Sequence, residues 1–131
     1  MTSFDQLWTT FLTNCKMSPQ DLPQTETLIY ETIQSAVLHF NNRLRLNIKC
    51  DNTQELLSEE LSEDYLLILA HTIKLIILQN QLTYSVTKFE PFQKDIGRKN
   101  YKEQIGAQER QVANQEELIS RLIINTEEDY L

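Results

Sequence analysis

Apolar residues recur every three or four positions along most of the chain, the spacing of one face of an α-helix. The pattern runs over residues 4–16 and 26–41, continues from Ser62 to at least Gln81, and returns late in a segment at 99–125. We therefore predict four helices over these ranges. The third is apolar on nearly all sides, which is typical of a central helix surrounded by the others.

The fourth predicted helix is long and unusually polar. At 1.5 Å per residue it would extend roughly 40 Å. Between residues 102 and 117 its clearly apolar positions are Ile105, Ala107, Val112 and Ala113. Such a helix is expected to bridge subunits, to run along another protein or to line an aqueous channel. The alternative is a solvated helix that charge pairs along its surface stabilise.

One segment breaks the helical period. Within Arg43–Cys50, apolar and polar side chains alternate, which indicates a half-buried strand. Because a lone strand leaves backbone donors and acceptors unpaired, a partner strand must exist. It is supplied either by a local hairpin or by a neighbouring subunit, and the sequence leaves both open.

Composition supports long helices with few connections. The 131 residues include two glycines and three prolines, too few for many tight turns. The predicted fold is all-α: a small bundle of about four helices with a long C-terminal helix and one short extended segment or hairpin. It forms a single domain over residues 1–131, with residues 1–24 as a docking helix and loop and 126–131 as a docking tail.

The formal net charge is −7 and is unevenly distributed. Residues 51–70 carry acidic side chains and no basic ones, whereas bases outnumber acids over 71–100. Without a basic face to neutralise phosphates, nucleic-acid binding is disfavoured. Nucleic-acid binding would be expected only if six basic residues lay on one face of the fold: Arg43, Arg45, Lys49, Lys94, Arg98 and Lys99.

The sequence contains no recognisable catalytic, cofactor or metal motif. Two glycines rule out a glycine-rich phosphate loop, no G-x-S-x-G occurs, and the two histidines and two cysteines lack the spacing of metal ligands. We expect no enzyme activity, no cofactor and no metal. The most apolar run, Tyr65–Leu78, is shorter than the roughly 20 residues of a bilayer span, so no membrane partner is expected.

Three features resemble the head–tail connector, or neck adaptor, proteins of tailed bacteriophages over residues 44–131. They are the entry to the buried helix (SEDYLLILAHTIK, 62–74), the connector FEPFQKDIGRKNY (89–101) and the Gln/Glu-rich final helix. The resemblance implies a ring of twelve copies under the portal protein, which extends the DNA exit channel and contacts the next neck or tail-completion protein. Genomic DNA would be only passing cargo. The expected location is the virion neck, after assembly in the host bacterial cytoplasm.

Under this hypothesis we assign interface and channel positions. The predicted subunit or partner contacts are Trp8, Phe11, Leu44, Leu46, Ile48, Ile105, Val112, Tyr130 and Leu131. The predicted channel-facing residues are Glu103, Glu109 and Glu116. Packing on the bundle is the commoner fate of a stripe such as the one that holds Trp8. The alternative function is a small cytoplasmic helical adaptor or regulator of the phage-encoded inhibitor type, which acts as a monomer or dimer and needs neither the strand nor the long polar helix.

Overall fold

The computed structural model describes the backbone of residues 2–89 and 98–128, and the side chains of 2–87 and 102–126. Within these ranges the chain forms a small bundle of four helices with one two-stranded hairpin, as predicted. The elements in chain order are α1 (Phe4–Asn14), a 3₁₀ turn (Pro19–Asp21), α2 (Glu26–Leu44), β1 (Cys50–Asp51), β2 (Leu56–Leu57), α3 (Glu63–Phe89) and α4 (Arg98–Glu128).

Local side-chain caps determine where three helices begin. The Ser3 hydroxyl accepts a hydrogen bond from the Gln6 amide at 3.0 Å at the start of α1. Thr25 caps α2 and Ser62 caps α3 in the same way, each at 3.2 Å. Each cap pairs an amide that the first helical turn cannot satisfy, typically worth about 1 kcal/mol.

The third helix is the centre of the bundle, and each of the other three helices packs against it. Its interior-facing positions are Leu66, Ile68, Leu69, Ala70, Thr72, Ile73, Leu75, Ile76, Ile77 and Leu78. By length and composition alone, the stretch Glu63–Thr87 would also suffice to cross a bilayer. More than half of its apolar window is buried inside the chain, as in the core helix of a bundle.

The fourth helix runs antiparallel to α3 and makes its extensive contact with that helix alone. Its inner edge follows a seven-residue repeat. One row of this edge is Ile105, Val112, Ile119 and Thr126, and the row beside it is Gln108, Gln115 and Leu122. Ile119, Gln115 and Thr126 are buried. Near the end of α4 the seam packs Ile119, Leu122 and Ile123 with the core, whereas towards the start Gln108 and Gln115 lie beside the apolar row of Ile105 and Val112.

The predicted strand at Arg43–Cys50 is wrong in extent. Helix α2 continues to Leu44, because that residue extends the apolar stripe of Val37 and Phe40. Arg45 then ends the helix in the left-handed region, with φ 58° and ψ 43°. Only Cys50–Asp51 is a strand.

The hairpin lies within one chain, which resolves the alternative left open by the sequence. Cys50 pairs antiparallel with Leu57, and Asp51 pairs with Leu56. Ser3 adds an isolated bridge to Leu56 and so ties the start of α1 to the hairpin. These strands find their partners locally and do not require a neighbouring subunit.

Candidate functional site

Three helices meet at a partly buried polar junction formed by Cys15, His71 and Gln115. The Cys15 sulfur, at the end of α1, lies 3.5 Å from His71 Nδ1 and 3.7 Å from the Ala70 carbonyl oxygen on α3. From α4, Gln115 Nε2 donates to the His71 carbonyl at 2.9 Å and lies 3.3 Å from His71 Nδ1. This small network fixes α1 and α4 against one point of the central helix.

Burial and one nearby cation set the protonation states of this junction. Burial raises the pKa of the Cys15 thiol to about 11, and the opposing effect of the Lys74 charge is smaller. Burial also lowers the pKa of His71, and Lys74 lowers it further. At neutral pH the pair is therefore a thiol beside a neutral imidazole. Reactive cysteines depend on a thiolate, so the junction is suited to packing and not to nucleophilic chemistry.

The polar seam continues towards the start of α4. Gln108 Oε1 is buried and accepts no hydrogen bond from a described residue. It borders a cavity of about 450 Å³ between α3, α4 and the 3₁₀ turn, whose other walls include Gln81, Ser85 and Gln104. Amides and hydroxyls line this cavity with the single carboxylate of Asp21. Across the described residues, no group of three His, Cys, Asp or Glu side chains is arranged to hold a metal ion.

A second groove, of about 310 Å³, separates the end of α2 from α4. Ile68 and Ile119 form part of its apolar floor, and His39, Arg43 and Glu116 line its rim. The Arg43 guanidinium crosses between the two helices and donates to the Ser120 hydroxyl. Hence α2 and α4 are neighbours joined mainly through α3.

The predicted interface residues near the N-terminus and the hairpin fall in different environments. Phe11 is fully buried in the core, and Trp8 is half-buried with its ring centroid 4.8 Å from that of Phe11. Ile48 is also buried, whereas Leu44 and Leu46 are half-buried against the core. In the single chain Phe11 and Ile48 are 0% and 3% exposed, and their role as partner contacts stays a prediction. Both side chains complete this chain's own core.

The predicted interface residues and the predicted channel-facing residues of α4 lie on different faces of the helix. Ile105 and Val112 are half-buried on the inner edge towards α3. Glu103, Glu109 and Glu116 are all exposed. Glu109 and Glu116 are seven residues apart and share one edge of the helix, while Glu103 lies on the outer side.

The C-terminal predictions lie largely beyond the described structure. Tyr130 and Leu131 are outside the described residues. The docking tail predicted over 126–131 begins within the helix, because α4 continues to Glu128 and Thr126 is buried, and its docking role stays a prediction.

Sequence reasoning did not find the junction of Cys15, His71 and Gln115. The available signal was the position of two glutamines on the inner row of α4, at Gln108 and Gln115, where a core helix normally has apolar residues. A polar residue at such a position commonly fixes helix register. The scattered exposed apolar side chains were also not singled out; they are Leu12, Leu28, Leu38, Tyr84 and Ile124.

Comparison with known proteins connects this architecture to a phage-derived family. A family profile described as "YomZ prophage protein" matches residues 1–128. The chain is also similar to the "SPbeta prophage-derived uncharacterized protein YomZ" of Bacillus subtilis (strain 168), with 50% identity over 131 residues that cover both chains in full. No solved structure matches. A similarity that spans the whole bundle, from the Ser3 cap through α4, places this chain in the YomZ prophage protein family.

Proposed function

We propose that this protein is a structural adaptor of a phage particle, a head–tail connector that assembles as a ring between the capsid portal and the tail. In this role it docks to further copies of itself, to the portal protein and to the next neck or tail-completion protein. DNA passes through the ring without being bound. It acts as a non-enzymatic protein of the virion neck, assembled in the host cytoplasm.

The observation that carries this proposal is the outer side of α4. The helix has 31 residues and is about 46 Å long. Only α3 lies extensively behind it. Its exposed side chains over 102–117 are Lys102, Glu103, Gln104, Ala107, Glu109, Arg110, Gln111, Ala113, Asn114, Glu116 and Glu117. Repeated head-to-tail contacts along such a surface close into a ring when the rotation between copies divides a full turn and no rise accompanies it.

The surface chemistry is compatible with this role. Charges of both signs alternate with amides and small residues, so a neighbouring copy can meet the helix through hydrogen bonds and ion pairs. Polar contacts of this kind set specificity and register more than raw affinity. The excess of acidic groups in the whole chain also disfavours retention of DNA in a channel. The hairpin supplies no support for assembly because it is paired within the chain.

The deciding experiment measures the native mass of the purified protein over a concentration series, alone and with the portal protein of the same prophage. Negative-stain images of any large species accompany it. We expect rings of about a dozen copies, free or on the portal. A strict monomer in both settings contradicts the proposal. A compact dimer favours the alternative, a small helical regulator of the inhibitor type.

A pair of arginine substitutions tests whether α4 provides the contact. Ala113→Arg adds bulk and charge on the exposed side of α4 while keeping a good helix former. We expect normal helicity and loss of the ring. Ser35→Arg, on the exposed side of α2, is the matched control and should assemble normally. Equal assembly of both variants would exclude this side of α4 as the interface.

A further inference from the structure

A groove of about 480 Å³ lies where the end of α1 meets the middle of α3 and the second half of α4. Three cationic side chains line it, and each comes from a different part of the fold: Lys16 after α1, Lys74 on α3 and Arg121 on α4. Asp21 provides the one carboxylate. In a chain of net charge −7, this groove is a local concentration of positive charge.

The three cations outnumber the groove's single carboxylate, and their side chains are unpaired within the described part of the chain. The side chains of Lys16, Lys74 and Arg121 make no ion pair or hydrogen bond with another described residue. Lys74 is half-buried on the most apolar helix, close enough for its charge to act on both Cys15 and His71.

Snorkelling explains the position of Lys74 only in part. A long side chain can lie along an apolar surface and still place its charge in water. It does not account for three unpaired cations on three elements that converge on one groove, in a chain with 19 acidic residues. An anion bound in the groove accounts for this convergence of cations.

The rest of the groove favours carboxylates over phosphates. Phosphate sites are usually built from backbone N–H groups at a helix N-terminus or a glycine-rich loop. Here the walls are mainly the sides of helices, with amides from Gln111 and Asn114 and apolar side chains from Met17, Leu78 and Leu118. Cations, amides and apolar patches together suit a peptide that carries acidic residues around an apolar one.

The dimensions fit a short extended segment. The lining residues of α4 run from Gln111 to Arg121, about 15 Å along the helix axis. An extended peptide rises about 3.3 Å per residue, so four to five residues span this distance. We propose that the groove is a docking site for an acidic segment of a partner protein, held by Lys74, Arg121 and Lys16. The groove shares Gln111 and Asn114 with the exposed side of α4 proposed as the ring contact, whereas Lys16, Lys74 and Arg121 lie outside residues 102–117.

The test uses a fluorescently labelled peptide, acetyl-Asp-Glu-Leu-Glu-Asp-amide, followed by anisotropy as the full-length protein is added. Native mass is recorded at the same protein concentrations, so that peptide binding can be compared with the oligomeric state. We expect a Kd below about 1 mM that weakens as salt is raised. The isosteric peptide acetyl-Asn-Gln-Leu-Gln-Asn-amide, which keeps the shape without the charge, should bind at least tenfold more weakly.

Substitutions assign the binding to the groove. Lys74→Met keeps the aliphatic stem and removes the charge, and we expect about a tenfold loss of affinity. Arg121→Gln, on an exposed position, gives a similar loss without a folding risk. Lys49→Met, outside the groove and next to the hairpin, should bind like the wild type. Circular dichroism confirms that each variant is folded.

Four results would overturn the proposal. The first two are no binding of the acidic peptide and equal binding of its amide isostere. The third is full retention of affinity in both Lys74→Met and Arg121→Gln. The fourth is displacement of the bound peptide by inorganic phosphate or a short oligonucleotide at a lower concentration than by unlabelled acidic peptide. The last would reassign the groove to a phosphate-containing ligand. None of these four results measures ring assembly, which is followed separately by the native mass of the protein.

Discussion

At the scale of single residues, the contacts of His71 with two neighbouring helices do most to position those helices. His71 occupies a position on α3 where an apolar side chain would simply pack. Instead, its ring meets Cys15, and both its ring and its backbone carbonyl meet Gln115. The directional requirements of these contacts restrict how α1 and α4 can slide along α3, which apolar packing alone does weakly.

The protonation of His71 predicts how the stability of the fold depends on pH. Its pKa in the folded chain lies below the ordinary value of 6.5. The unfolded chain therefore binds the proton first as pH falls. The stabilisation is fully present above about pH 6.5, declines below it by at most about 1.4 kcal/mol per pH unit, and stops declining below the folded pKa.

Replacing the histidine tests this prediction. In urea denaturation between pH 7.5 and 5.5, His71→Gln should lose less stability than the wild type, because the titrating group is gone. The control is His39→Gln, at an exposed position on α2, which should keep the wild-type pH dependence. Identical slopes for all three proteins would show that His71 is not protected from protons in the fold.

At the scale of elements, the end of α2 shows how two sequence periods compete. Leu44, Leu46 and Ile48 alternate as in a strand, but Leu44 also continues the helical stripe, and the helix extends to include it. Beyond Arg45 the chain is pinned by a reciprocal pair of hydrogen bonds between the Asn41 side chain and the Ile48 backbone, at 3.1 and 2.8 Å. These two hydrogen bonds hold residues 46–48 in an irregular loop, where the alternating pattern had predicted a strand.

The left-handed conformation at this helix end yields a stability prediction. Arg45 adopts φ 58°, where a side chain meets the following carbonyl and glycine is preferred. Arg45→Gly should therefore raise the free energy of unfolding by about 0.5–1 kcal/mol in urea denaturation. Arg43→Gly, two residues earlier in the helix, should lower it by at least a similar amount. A destabilised Arg45→Gly variant would mean that the arginine side chain contributes more than the strain costs.

At the scale of the whole molecule, the bundle is organised around α3, with α1, α2 and α4 each packed against it. The seam with α4 is apolar around Ile119 and polar around Gln108. Most of the stability of this pair of helices is therefore expected to come from the half that contains the end of α4. The start of α4 contributes surface more than core.

This distribution predicts the effect of removing the predicted tail. Deletion of residues 129–131 should leave the urea unfolding free energy within about 0.5 kcal/mol of the wild type, because the last described α4 side chain that is buried is Thr126. Under the connector hypothesis it should impair docking to the portal or neighbouring copies. Ile119→Ala, which removes a fully buried side chain, should cost about 2–5 kcal/mol and shows the sensitivity of the assay. Unfolding of the deletion variant would show that these residues are part of the core.

Local patterns in the sequence were enough to determine several features. The four helices and the central position of α3 follow from apolar periodicity that operates within a few turns. The scarcity of glycine and proline excluded a fold of many tight turns. A phage origin, implied by resemblance, agrees with the family to which the chain belongs.

Only the tertiary structure decided which apolar side chains are available to partners. Trp8 and Phe11 share one stripe of α1, yet Phe11 is fully enclosed and Trp8 is not, because enclosure depends on what packs against the helix. The same holds for the hairpin, whose second strand at Leu56–Leu57 has no periodic signal. The contacts between Cys15, His71 and Gln115, and the convergence of Lys16, Lys74 and Arg121, join residues far apart in sequence. No local pattern encodes them, since they arise only when three helices are packed together.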